Sequence, residues 1–261
     1  MHRTEPINGV DLFVRRFGDP ARPMLVIVHG GPGWDHSYLL PASELQDIRH
    51  VVFFDLRGCG RSTRDAELQP DLVADDVAAL IGPGRRADVL GHSYGGGVAM
   101  RVAAQHPDRL RRLVLSSTTA YPEMAVPGNW DVGTGLAEGD GAFARAKAEA
   151  DIPTTIWRQD RADEWRAVLR GVRFSSAWDR PYAEGKVKPA RPPDPVRVLT
   201  GRPVLVVHGE HDRTFPVAAA ERLARAVVGS ELAVIPDAGH MPQFDNPVEW
   251  LAAIRGFLTR R

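Results

Sequence analysis

Leu90-Gly91-His92-Ser93-Tyr94-Gly95-Gly96 stands between an apolar run at 87–90 and an apolar, Ala-rich pattern at 97–105 that His106-Pro107 ends. The order reads as strand, sharp turn and helix. Gly two residues to either side of Ser93 fits a turn so tight that side chains there would strike neighbouring backbone. Such a turn leaves the serine hydroxyl exposed, with a helix N-terminus favourable to negative charge just beyond it. An isolated G-x-S-x-G is weak evidence, but between a strand and a helix it points to nucleophilic chemistry.

Working outward, apolar runs at 10–17, 24–28, 50–55, 113–116, 204–207 and 232–235 predict further strands, and amphipathic patterns at 72–80, 217–226 and 247–258 predict helices. This alternation predicts an α/β fold with a mostly parallel, doubly wound sheet. Between 122 and 198 the strand signal vanishes, and Trp130, Trp157, Trp165 and Trp178 supply four of the six tryptophans. That segment reads as an inserted helical cap, with helices at 138–150 and 154–169 and a stiff Pro-rich return at 189–195. The expected organisation is a core of 1–121 with 199–261 and a cap of 122–198.

Lys plus Arg and Asp plus Glu are both 33, so there is no basic excess to pair with a nucleic-acid backbone. The 43% hydrophobic and 25% charged residues are ordinary globular usage. One cysteine, Cys59, excludes an intrachain disulfide and reads as a packed turn residue. The apolar runs are too short to cross a bilayer, and MHRTEPINGVDLF shows no basic patch followed by an apolar run. The expectation is a cytoplasmic protein with neither a membrane nor a nucleic-acid partner; no pattern specifies an oligomeric state.

Nucleophilic catalysis needs oxyanion donors, a base and an orienting acid. After the strand at 24–28, His29-Gly30-Gly31-Pro32-Gly33 can bring a backbone N–H to a bound carbonyl, alongside the N–H of Tyr94, and His29 is placed to orient this loop. The strand at 204–207 runs into His208-Gly209-Glu210-His211-Asp212, and that at 232–235 into Pro236-Asp237-Ala238-Gly239-His240. Functional groups gather at the carboxyl ends of parallel strands, which makes Asp212 the candidate acid and His240 the base. Asp237, the rival acid, shares a loop with His240 and reads as a turn former. A metal reading of the His208 to Asp212 cluster fails because its side chains point to different sides and no further ligand run accompanies it. Trp34, Phe215 and Met241 are candidates to line an apolar pocket, most cap tryptophans read as packing, and any of Glu138, Asp140, Glu149, Asp179 or Glu184 could bind an amine.

Together HGGPG at 29–33, FFDLRGCGRS at 53–62, GHSYGG at 91–96, GEHD at 209–212 and DAGH at 237–240 resemble the α/β-hydrolase superfamily, and within it the proline iminopeptidase group. The resemblance implies Ser93 as nucleophile, Asp212 and His240 as its partners, Gly31 and Tyr94 as oxyanion donors, and no cofactor. It implies hydrolysis of N-terminal prolyl and other small aminoacyl bonds. The chain departs from the group in having Tyr94 where Trp is frequent and in lacking the Trp-Glu pair that holds a substrate ammonium. Its nearest counterpart, Ala177-Trp178-Asp179-Arg180, adds Trp178 and Asp179 to the candidate pocket. The expected function is a serine hydrolase of small acyl or aminoacyl amides, esters or lactones. The alternatives are an acyl-transfer or cyclisation enzyme and a non-catalytic ligand-binding protein on the same fold.

Overall fold

The computed structural model describes residues 2–126 and 140–260. Trp130 and Glu138 lie outside them. Eight strands form one sheet in the order β1 (His2–Ile7), β2 (Val10–Phe17), β4 (His50–Phe54), β3 (Met24–Val28), β5 (Ala87–His92), β6 (Leu110–Ser116), β7 (Val204–Gly209) and β8 (Glu231–Ile235). From β4 to β8 every neighbouring pair is parallel, whereas β1 and β2 form an antiparallel hairpin at one edge. The sequence reading missed β1. Its residues HRTEPI lie on an exposed edge, so no buried face imposes an apolar alternation, and the usable signal is the turn: Asn8 and Gly9 both have positive φ.

MLVIV of β3 and HVVFF of β4 are buried throughout because both faces of the sheet are covered. Alternate residues divide between two cores. Val26, Val28, Val52 and Phe54 pack with α1 (Pro70–Ile81), α2 (Tyr94–Gln105) and α8 (Val217–Ala226). Leu25, Ile27, Val51 and Phe53 face α10 (Pro247–Thr259), the 3₁₀ segment His36–Asp47 and part of the chain between β6 and β7.

That connection contains α3 (Ala142–Ala150), α4 (Ile152–Thr155), α5 (Ala162–Gly171), α6 (Asp179–Ala183) and α7 (Pro195–Leu199). The single helix expected at 154–169 is broken. The Trp157 and Arg158 N–H groups, which a continuous helix would use internally, donate instead to the Asp245 carboxylate at 3.0 and 3.1 Å. Asp245 belongs to the short helix α9 (Pro242–Asp245) just after the His240 loop, and it also accepts from Gly239 N–H at 2.8 Å. Of the expected helix at 138–150, residues 138 and 139 lie outside the described residues, and α3 begins at Ala142, after Gly141, which is left-handed at φ 72°. The return at 189–195 is tied down by Arg101, which donates to the carbonyls of Pro189, Ala190 and Arg191.

Candidate active site

Because β3, β5, β7 and β8 are parallel, the loops after them leave the same edge of the sheet. Ser93 sits between β5 and α2 at φ 52°, ψ −119°, a backbone conformation costly for a residue with a Cβ. A Cβ on Gly91 would stand 2.3 Å from the Gly95 carbonyl oxygen, and one on Gly95 would stand 2.2 Å from that of Val28. Only glycine fits at these two positions, and helix α2 therefore starts at Tyr94 although the sequence pattern begins three residues later. Thr118 Oγ1 and Gly96 N–H both donate to the Ser93 carbonyl, at 2.8 and 2.9 Å, which fastens the turn.

Three sequence-predicted residues meet here. His240 Nε2 lies 3.0 Å from Ser93 Oγ, and His240 Nδ1 lies 2.9 Å from Asp212 Oδ2. Asp212 is buried and also accepts from Thr214 and Phe215 N–H on Oδ1, at 2.8 and 2.9 Å. Burial alone would raise its pKa, but the His240 and His208 imidazoles hold it far below the usual carboxylate range. A carboxylate only accepts, so Nδ1 carries the proton of neutral His240 and Nε2 is left to accept from the Ser93 hydroxyl. Asp237, by contrast, is exposed in a turn at φ 52°.

On the other side of Ser93, a Cβ on Gly30 would come within 2.8 Å of the Ser93 Cβ, so the HGGPG loop lies directly on the turn. His29 fixes this loop by accepting from Leu56 N–H through Nε2 at 3.0 Å and facing the Gly30 carbonyl through Nδ1 at 2.9 Å. Among the described residues nothing accepts the Gly31 N–H. Tyr94 is the first residue of α2, where a helix provides no acceptor for the N–H, and its ring packs behind the site on Trp178 and Tyr182.

Ser93 and His240 open on a cavity of about 150 Å³ whose wall includes Gly31, Trp34, Met241 and, from the helical connection, Phe143, Ala144, Ala148 and Asp179. Two pocket candidates lie elsewhere. Trp178 is fully buried and donates from Nε1 to the Arg57 carbonyl at 2.9 Å, which makes it core packing. Phe215 is buried with its ring edge-on to His240, supporting the imidazole from outside the cavity wall. The candidate acids separate by their partners: Asp140 pairs with Arg64, Glu149 faces Arg166 and Glu184 pairs with Arg180 and Lys186. Lys147, also in the cavity wall, is neutralised by Asp151 at 2.8 Å. Asp179 lines the cavity half-buried and without an ion-pair partner among the described residues; burial and then Asp140 push its pKa up to about 6.

His208 donates from Nε2 towards Phe215 O at 2.7 Å and Asp212 Oδ2 at 3.2 Å, so it belongs to the acid's surroundings. Among the described residues no three His, Cys, Asp or Glu side chains group as a metal would require, and no helix is long and apolar enough to cross a membrane. Cys59 is buried, which pushes its thiol up to about 12. The sequence reading did not single out Tyr38 or assign a role to His92, both of which line the cavity. His92 carries one available signal, a histidine within a buried strand; Tyr38 carries none.

A mostly parallel sheet with Ser, Asp and His on the loops after β5, β7 and β8, in that chain order, fits the hydrolase class built on this architecture. The chain belongs to the α/β-hydrolase fold family, whose model matches residues 23–247. It is 28% identical over 252 residues to 2-hydroxymuconate semialdehyde hydrolase of Pseudomonas sp. (strain CF600), covering 90% of this chain and 86% of that one. Over 100 residues it is 37% identical to proline iminopeptidase of Saccharolobus solfataricus, covering 36% and 32% of the two chains. The enol-lactonase from Burkholderia xenovorans LB400 superposes with a TM-score of 0.80 at 26% identity, covering 99% of this chain and all of the other.

Proposed function

We propose that this protein is a serine hydrolase of small amide, ester or lactone substrates, acting through an acyl-Ser93 intermediate. The observation that carries this reading is the hydrogen-bonded run Asp212, His240, Ser93 opening on a small cavity. His240 Nε2 takes the Ser93 proton as Oγ bonds to the acyl carbon, and the carbonyl electron pair moves onto oxygen, facing the Gly31 and Tyr94 N–H groups. When the C–O or C–N bond breaks, the leaving group takes the proton from His240. Water then repeats the sequence on the acyl-enzyme: His240 accepts its proton, hydroxide adds, and Ser93 leaves as its hydroxyl is restored. Asp212 holds the imidazole tautomer and stabilises imidazolium. In this reading 122–198 is the cap, and its side chains shape the acyl pocket.

Similarity to an enol-lactonase along nearly the whole chain supports keeping lactones in the substrate class. A second reading, aminoacyl hydrolysis, is favoured by Asp179, which lines the cavity and has no ion-pair partner among the described residues. A fluorophosphonate should label the parent protein and leave Ser93→Ala unlabelled; equal labelling of both overturns the proposal. Hydrolysis rates for aminoacyl amides, acyl esters and lactones then define the leaving group, and an added amine or alcohol acceptor distinguishes hydrolysis from acyl transfer.

A further inference from the structure

Three loops must hold their places for this chemistry, and one buried hydrogen-bond chain joins them. Gly30 N–H donates to Tyr38 Oη at 2.7 Å, Tyr38 Oη meets His92 Nδ1 at 3.0 Å, and His92 Nε2 meets the His240 carbonyl oxygen at 3.0 Å. Gly30 precedes Gly31, His92 precedes Ser93, and the last acceptor is the backbone of His240 itself. Each end or middle of the chain is thus one residue or less from a group assigned to the reaction.

The two ends dictate where every proton lies. An amide N–H only donates and a carbonyl only accepts. Tyr38 Oη therefore accepts from Gly30 and gives its own proton to His92 Nδ1, while His92 keeps its proton on Nε2 and gives it to His240. With His92 neutral every proton of the chain has an acceptor, whereas imidazolium would take from the Tyr38 hydroxyl the acceptor of its proton. Tyr38 is 3% exposed and His92 fully buried; burial, and then His240, push the His92 pKa down to about 3. The rings add lateral support: Tyr38 lies edge-on to both Trp34 and His92, with centroids 5.2 and 5.4 Å away.

We propose that Tyr38 and His92 are positioning residues that hold the oxyanion loop and the general base at a set distance across Ser93. The proposal rests on the serine-hydrolase reading. Catalytic donors and bases tolerate displacements of only about 0.5 Å, and a misplacement of about 1 Å costs on the order of 100-fold in rate. Tyr38 lines the cavity, but Tyr38→Phe keeps its ring in the wall, so binding of substrate in the ground state is far less sensitive to that exchange.

The experiment compares the parent with Tyr38→Phe, His92→Leu and His92→Gln, using a short-chain 4-nitrophenyl ester and an alkyl trifluoromethyl ketone, which becomes tetrahedral on the serine. Active sites are titrated with a fluorophosphonate, so that kinetic constants refer only to folded enzyme. Tyr38→Phe should lower kcat by about 10- to 100-fold with KM nearly unchanged, and weaken the ketone in proportion. His92→Gln, which carries both an acceptor and a donor, should recover part of what His92→Leu loses; if the Leu variant does not fold, the Tyr38→Phe comparison stands alone. The double variant Tyr38→Phe/His92→Gln should fall short of the summed losses, as members of one chain do. Parent-like kcat in Tyr38→Phe, or a loss confined to KM, overturns the proposal alone. Failure of the parent to label at all overturns the serine-hydrolase reading and this proposal with it.

Discussion

Asp212 receives four N–H groups on two oxygens, from His240, His208, Thr214 and Phe215. Asparagine can accept on one atom only, and its amide would face a donor, so Asp212→Asn turns the neighbouring imidazole towards the wrong tautomer. Turnover should fall by about ten-thousand-fold, as in the related triad where this exchange has been made. Asp237→Asn should leave kcat unchanged, since that side chain is exposed; the reverse result would show Asp237 to be the acid. Asp179 supports a prediction on pH. Its carboxyl, raised to about 6, is neutral below that pH and anionic above it. Attraction for a substrate ammonium therefore switches on as pH rises through about 6. The ratio of kcat/KM for proline 4-nitroanilide to that for its N-acetyl form should climb across this range by about tenfold, the low end for a charge-assisted contact. In Asp179→Asn the ratio should be flat. A ratio independent of pH in the parent would exclude Asp179 as an amine site.

At the scale of elements, the strands were legible wherever both faces are buried, because β3, β4, β5 and β7 are almost continuous apolar runs. Ser93 and Asp212 were legible for the same reason, since each follows such a run, whereas His240 follows the partly buried edge strand β8, whose residues 232–235 are nonetheless all apolar. The edge strand β1 and the break between α4 and α5 were not, for opposite reasons: β1 buries too little to leave a pattern, while the break is imposed from a distant part of the chain. Asp245 imposes it. Its carboxylate holds Trp157 and Arg158 of the helical connection against Gly239 of the His240 loop, so a contact made 87 residues away decides local structure. In Asp245→Asn one acceptor oxygen becomes an NH₂ group facing a backbone donor. The cost should be about 1–3 kcal/mol in a urea melt, with kcat lowered because the His240 loop loses its brace. Unchanged stability together with unchanged kcat would mean that the connection is held by its apolar contacts alone.

For the whole molecule, the division of alternating residues between two cores follows from a parallel sheet covered on both faces, and the order of runs along the sequence sufficed to anticipate it. What no periodicity carries is the conflict between stability and the site. Ser93 is held at φ 52° by a close-packed strand, turn and helix, and such strain costs on the order of 1–3 kcal/mol that the two cores must offset. The comparison of Ser93→Ala with Ser93→Gly isolates it, because both lose the hydroxyl and its bond to His240, yet only glycine is relieved of the Cβ. Glycine gives back roughly 0.5–1 kcal/mol through the greater freedom of its unfolded chain. The Gly variant should therefore be the more stable by up to about 2.5 kcal/mol, a rise of up to about 10 °C in Tm for a chain of this size. Neither variant should react with fluorophosphonate. If Ser93→Gly melts below Ser93→Ala, the turn is not strained, and the hydroxyl is presented to the cavity at no cost to the fold.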